Sequence, residues 1–94
     1  MIPNTLDDFK WKLDVNRYEL DQKTIDLLFA ADMLQEYKMS IRGVANEYMI
    51  SKSKLHDFLS NGQLRSICYE LYQLCRKQLQ WNKQHPSYFI KRRR

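Results

Sequence analysis

The chain has 94 residues, 44% of them hydrophobic, and a formal net charge of +5. That length supports one domain with a modest core and leaves no room for a catalytic domain beside a separate recognition domain. The longest apolar run, Leu27 to Ala31, is far shorter than the roughly 20 residues that span a bilayer, and Met1-Ile2-Pro3-Asn4 starts no secretory leader, so a cytoplasmic protein without membrane contact is expected.

The charge is unevenly placed. Residues 1–36 hold eight acids and four bases, a net of −4, whereas residues 37–94 hold twelve bases and three acids, a net of +9. A basic part of this kind suits a polyanionic partner such as nucleic acid.

Residues 1–20 read as an N-terminal extension. Phe9-Lys10-Trp11-Lys12-Leu13-Asp14-Val15 alternates apolar and polar like a strand, while Leu6, Phe9 and Leu13 fit a helix capped by Thr5 with Asp7 and Asp8 in its first turn. Helix is the favoured reading, because only Tyr88-Phe89-Ile90 offers a strand partner and an isolated pair of strands is weak. The acids and the aromatic residues Phe9, Trp11 and Tyr18 also offer a surface to a protein partner. A support helix follows, from Asp21 or Thr24 to Tyr37, with Ile25, Leu28, Phe29, Met33 or Leu34, and Tyr37 as its apolar stripe.

Residues 40–59 read as a helix-turn-helix. Ser40 caps a first helix whose Ile41, Val44, Ala45 and Tyr48 share one face, and Ala45 is small enough to sit where two helices cross closely. Ile50 packs into the corner, and Ser51 caps a second helix that turns Leu55, Phe58 and Leu59 inward. Met49 stands where such corners often hold Gly. A positive φ there would cost about 1 kcal/mol, so the turn is either strained or of a slightly different shape.

The second helix leaves Lys52, Ser53, Lys54, His56 and Asp57 facing out, as a helix entering the major groove requires. Lys52, Ser53, Lys54 and His56 are the candidates for base edges, with Ser51 beside them; Lys38 and Arg42 are candidates for phosphates. Asp57 either accepts from a cytosine amino group or pairs with a nearby lysine.

Ser60-Asn61-Gly62 stops this helix. From Gln63, the positions Leu64, Ile67, Cys68, Leu71, Leu74, Cys75 and Leu79 predict one long amphipathic helix to about Gln84, ended by Pro86. Arg65, Tyr69, Tyr72, Arg76 and Gln80 form its outer face, either solvated or a protein contact centred on Tyr69 and Tyr72. Cys68 and Cys75, seven residues apart on a helix, lie about 10 Å from each other and cannot form an unstrained disulfide; they read as reduced core residues. Residues 86–94 form a tail ending in Lys91, Arg92, Arg93 and Arg94, suited to phosphates.

The stretch Ile41-Arg42, Val44-Ala45, Tyr48, Ile50 and Ser51-Lys52-Ser53-Lys54-Leu55-His56 resembles the stage III sporulation protein D family of small bacterial transcription factors. The resemblance spans roughly residues 25–83 and is specific over the helix-turn-helix. Members of that family pair the motif with a C-terminal helix and a basic segment that also touch DNA, which implies DNA contacts for Lys83 and for Lys91 to Arg94. Gln84-His85-Pro86-Ser87-Tyr88 departs from the family's Arg-Gly-Gly pattern, and the first twenty or so residues are an addition.

The expectation is an all-α helix-turn-helix domain, monomeric or homodimeric, that binds double-stranded DNA as a transcription regulator. No phosphate loop, zinc spacing or nucleophile pattern is present, so neither enzymatic activity, cofactor nor metal is expected. The alternatives are a small phage- or mobile-element-encoded protein that inhibits a host protein or ribonucleoprotein, and the DNA-binding portion of a recombinase or transposase.

Overall fold

A computed structural model describes residues 6–89. Helices α1 (Gln22–Glu36), α2 (Ile41–Tyr48), α3 (Lys52–Ser60), α4 (Gln63–Ile67) and α5 (Tyr69–Gln84) follow in order, with 3-10 turns at Leu6–Asp8, Arg17–Glu19 and Pro86–Phe89. No strand occurs among the described residues, so the domain is all-α, as the apolar periodicity predicts.

α1 begins at Asp21, whose carboxylate accepts from the Thr24 backbone N–H at 2.9 Å. Hydrogen bonds from the Thr24 hydroxyl and from this N–H hold the Asp21 carboxyl below its usual pKa. α1 is the central helix: Leu28, Ala30, Ala31 and Leu34 are fully buried, and α2, α3 and α5 all pack on it. Its other side carries the N-terminal segment, so its apolar surface is wider than a single stripe. Tyr37, expected on that stripe, lies past the last turn as the C-cap and is 68% exposed. The chain then closes α1 through Lys38, at φ 52°, while the Met39 N–H donates to the Leu34 carbonyl at 3.0 Å. This is the left-handed closure in which Gly is usual.

The same closure makes the corner of the motif. Met49 takes φ 55° and ψ 43°, its N–H donates to Asn46, and the Ile50 N–H reaches back to the Ala45 carbonyl at 2.8 Å. Ile50 thereby folds over Ala45, which is buried at 2% exposure. Ser40 Oγ accepts from the Gly43 N–H and Ser51 Oγ from the Lys54 N–H, so both motif helices carry the predicted caps. Leu55, Phe58 and Leu59 turn into the core.

Two expectations are corrected. The helix foreseen from Gln63 to Gln84 is broken at Cys68, which adopts φ −151° and ψ 92°. The cause lies more than fifty residues away: Cys68 Sγ–H donates to the Lys12 carbonyl, the Asp14 N–H donates to the Ile67 carbonyl, and Asp14 Oδ2 accepts from the Tyr69 N–H at 3.0 Å. Asp14 thus supplies the N-cap of α5 from outside the helix. The apolar rhythm runs through the break because Leu64, Ile67, Cys68, Leu71 and Cys75 stay buried on both sides of it.

The N-terminal segment is neither the favoured α-helix nor a strand. Thr5, its expected cap, lies outside the described residues; Leu6–Asp8 makes one 3-10 turn, and an irregular strap follows to the turn at Arg17–Glu19. The strap is held by side chains. Phe9 meets Phe29 edge-on at 5.1 Å, Trp11 Nε1–H donates to Asp32 at 2.7 Å, and Lys10 pairs with Glu36. Coiling it further would withdraw these groups and the Lys12 and Asp14 backbone atoms from their partners.

Candidate nucleic-acid interface

The start of α2, the exposed flank of α3 and the second half of α5 enclose an open groove of about 780 Å³. Arg42, Lys52, His56, Arg76 and Lys83 line it, with Tyr72 on one wall and no acidic residue among the lining side chains. Local structure places each of them. Arg42 stands in the first turn of α2, set by the Ser40 cap; Lys52 opens α3 and His56 follows one turn later. Arg76 and Lys83 are seven residues apart on α5, two turns or roughly 10 Å along one face.

The two walls are tied together. Asn82 Nδ2–H donates to the Met39 carbonyl at 3.1 Å, and Gln78 Nε2–H donates to Asn82 Oδ1 at 2.7 Å. Gln78 is the one buried polar side chain among the described residues, and its bond orients the amide that fixes the end of α5 to the segment before α2. With like charges assembled from three elements, such a tie holds the groove against its own repulsion.

α3 itself divides its outward residues. At about 100° per residue, Ser53 and Asp57 stand opposite Leu55, Phe58 and Leu59, while Lys52 and His56 fall on the groove flank. Lys54 is exposed but does not line the groove. Ser51 is exposed and already occupied as the cap of α3.

Lys38 is not brought to the groove. Its Nζ lies 5.5 Å from the Trp81 ring centroid, in a cluster where His85 stacks on Trp81 and Tyr88 meets it edge-on. Lys91, Arg92, Arg93 and Arg94 lie outside the described residues. On the outer face of α4 and α5, the Arg65 guanidinium sits over Tyr69 and Tyr72, and Arg76 lies over Tyr72, joining this array to the groove. Phe9 and Trp11, part of the aromatic surface offered to a protein partner, pack inward and leave Tyr18 outside at 89% exposure.

Cys68 and Cys75 are unbridged and buried. Burial pushes the Cys75 thiol up to about 12 and raises that of Cys68 as well, so neither is a thiolate near neutral pH. Among the described residues, no group of three His, Cys, Asp or Glu side chains gathers at a metal-binding distance, and no helix is long and apolar enough to cross a membrane.

Sequence reasoning missed Arg76, Tyr72 and Asn82 as parts of this surface, and the buried Gln78 behind Asn82. The available signal was the heptad spacing of Arg76 and Lys83, two bases on one face near a helix end. Gln78 and Asn82 left no signal, because their partners are set by tertiary packing. The chain matches no protein-family description, no curated protein and no solved structure.

Proposed function

We propose that this chain is a sequence-specific double-stranded DNA-binding regulator of transcription that acts without enzymatic chemistry. The observation that carries the reading is the pairing of a tightly closed, Ala-centred helical corner with an acid-free basic groove along the flank of α3. A duplex presents a ridge of phosphates beside each major groove. A protein that sets one helix into that groove needs a basic channel alongside it for the ridge. Arg42, Lys52, Arg76 and Lys83 supply the channel, His56 sits within reach of both phosphate and base edge, and Ser53 and Lys54 face the bases. The basic tail from Lys91 to Arg94 adds phosphate contacts beyond the groove.

The test is binding of a short random-sequence duplex, followed by fluorescence anisotropy across a salt series. Four groove cations on phosphates predict a log–log slope of about −3 to −4 before the tail contributes. Arg42→Ala and Lys83→Ala should each flatten it by about 1. Absence of salt-graded binding would overturn the reading and favour a protein-directed inhibitor.

A further inference from the structure

A basic surface built for phosphates has no evident use for a carboxylate, yet Asp57 stands in the middle of the exposed face of α3. Its side chain makes no ion pair or hydrogen bond among the described residues. The simplest local role, pairing with a lysine, is absent. Ser53 and Asn61 occupy the positions four before and four after it, so neither helical neighbour at that spacing is a base. Lys54, three residues before, precedes the acid, which is the less favourable order for a helical pair. Asp57 also contributes no cap, because Asn61, the last residue bonded to its turn, takes the Asp57 backbone carbonyl and not the carboxylate.

Such a residue lowers affinity for any phosphate-rich partner, since it adds repulsion to an otherwise basic face. Its position opposite the buried trio Leu55, Phe58 and Leu59 makes it, with Ser53, the part of α3 that reaches furthest into a groove. At that depth, base edges and not phosphates are the neighbours, and the only pure donor among the major-groove groups of a G·C pair is the cytosine N4 amino group.

We infer that Asp57 is a specificity-determining residue that accepts a hydrogen bond from the exocyclic amino group of one cytosine in the target duplex. This rests on the DNA-binding reading and adds to it a base identity and a residue. The carboxylate actively rejects guanine and thymine, whose acceptors at the same place would face a desolvated negative charge without a donor, and it suits adenine less than cytosine because the adenine N6 amino group sits beside the N7 acceptor. General affinity is exchanged for discrimination at a single base pair.

The experiment selects bound sequences from a random duplex pool with the full chain, with Asp57→Ala and with Asp57→Asn. It measures each protein on random duplex in parallel. Because the side chain is exposed and unpartnered, both variants should melt like the parent, which a thermal scan checks. The parent should select a cytosine at one position. Asp57→Ala should lose that preference by about 5- to 150-fold at that position only, while binding random duplex at least as tightly as the parent. Asp57→Asn should move the preference toward adenine, whose N6 and N7 suit an amide. An unchanged selection profile for Asp57→Ala, with salt-graded binding of random duplex intact, overturns the assignment of Asp57 and leaves the DNA-binding reading standing. A parent that binds no duplex overturns both.

Discussion

Replacing Asp14 with Ala tests whether a strap residue holds up a helix that begins 55 positions later. The Asp14 carboxylate accepts from the first N–H of α5 at 3.0 Å, while its own N–H bonds the Ile67 carbonyl at the end of α4. Alanine keeps the backbone bond and deletes only the cap. Loss of a capping acceptor costs about 0.5–2 kcal/mol. For a domain of this size each kcal/mol lowers the melting temperature by about 4–8 °C. A fall of several degrees is expected in a thermal scan followed by circular dichroism. Asp14→Asn separates the cap from the charge, because asparagine caps about as well as aspartate but carries no charge for the helix dipole. It should recover most of the loss, at low and at high salt. A melting curve for Asp14→Ala that superimposes on the parent would refute the reasoning, and the break at Cys68 would then need another cause.

Met49→Gly should raise stability by about 1 kcal/mol, because Met49 holds φ 55° with its side chain 88% exposed, so strain is relieved and little packing is lost; denaturant melts check the direction. Stability should also fall at high pH through Cys75. Its thiol ionises near 12 in the fold against 9.0 when free, so the unfolded chain loses a proton first and gains on the native state as pH rises from about 9 to about 12. Cys75→Ala should remove that part of the alkaline decline in urea titrations at pH 8, 9 and 10.

Features written in short windows were legible. The caps at Ser40 and Ser51, the stop at Gly62 with φ 86°, and the inward turn of Leu55, Phe58 and Leu59 each depend on residues within four positions of one another. Met49 was legible as a problem, and the structure resolves it as a left-handed closure that folds a partly buried Ile50 over a buried Ala45. Lys38 was not legible, since nothing in its type announces a positive φ, and the Met39 to Leu34 bond that imposes it appears only once the chain turns. The break at Cys68 was hidden for a related reason. Apolar spacing reports which residues are buried, and burial is continuous across it; the hydrogen bonds that interrupt the helix come from Lys12 and Asp14. The groove lies at the same limit. Arg42, Lys52 and Lys83 were each named as candidates singly, but their meeting with Arg76 depends on how α5 crosses the motif, which a hydrophobic pattern does not specify.

The segregation of charge along the chain then acquires a physical meaning. Five of the eight acids of the first part are spent within the fold: Glu36 holds Lys10, Asp32 holds Trp11, Asp7 holds Arg17, Asp14 caps α5 and Asp21 caps α1. Arg42, Lys52, Lys54 and Lys83 make no ion pair among the described residues. A base already neutralised by a protein carboxylate has no need of a phosphate, whereas a base without a protein counterion leaves the phosphate as its best partner. A mutation among the acids should therefore register mainly in stability, and a mutation among the groove bases mainly in affinity. Asp57 fits neither class: its side chain makes no ion pair or hydrogen bond among the described residues, and under the proposed function its place on the outward face of α3 points to a base and not to the fold.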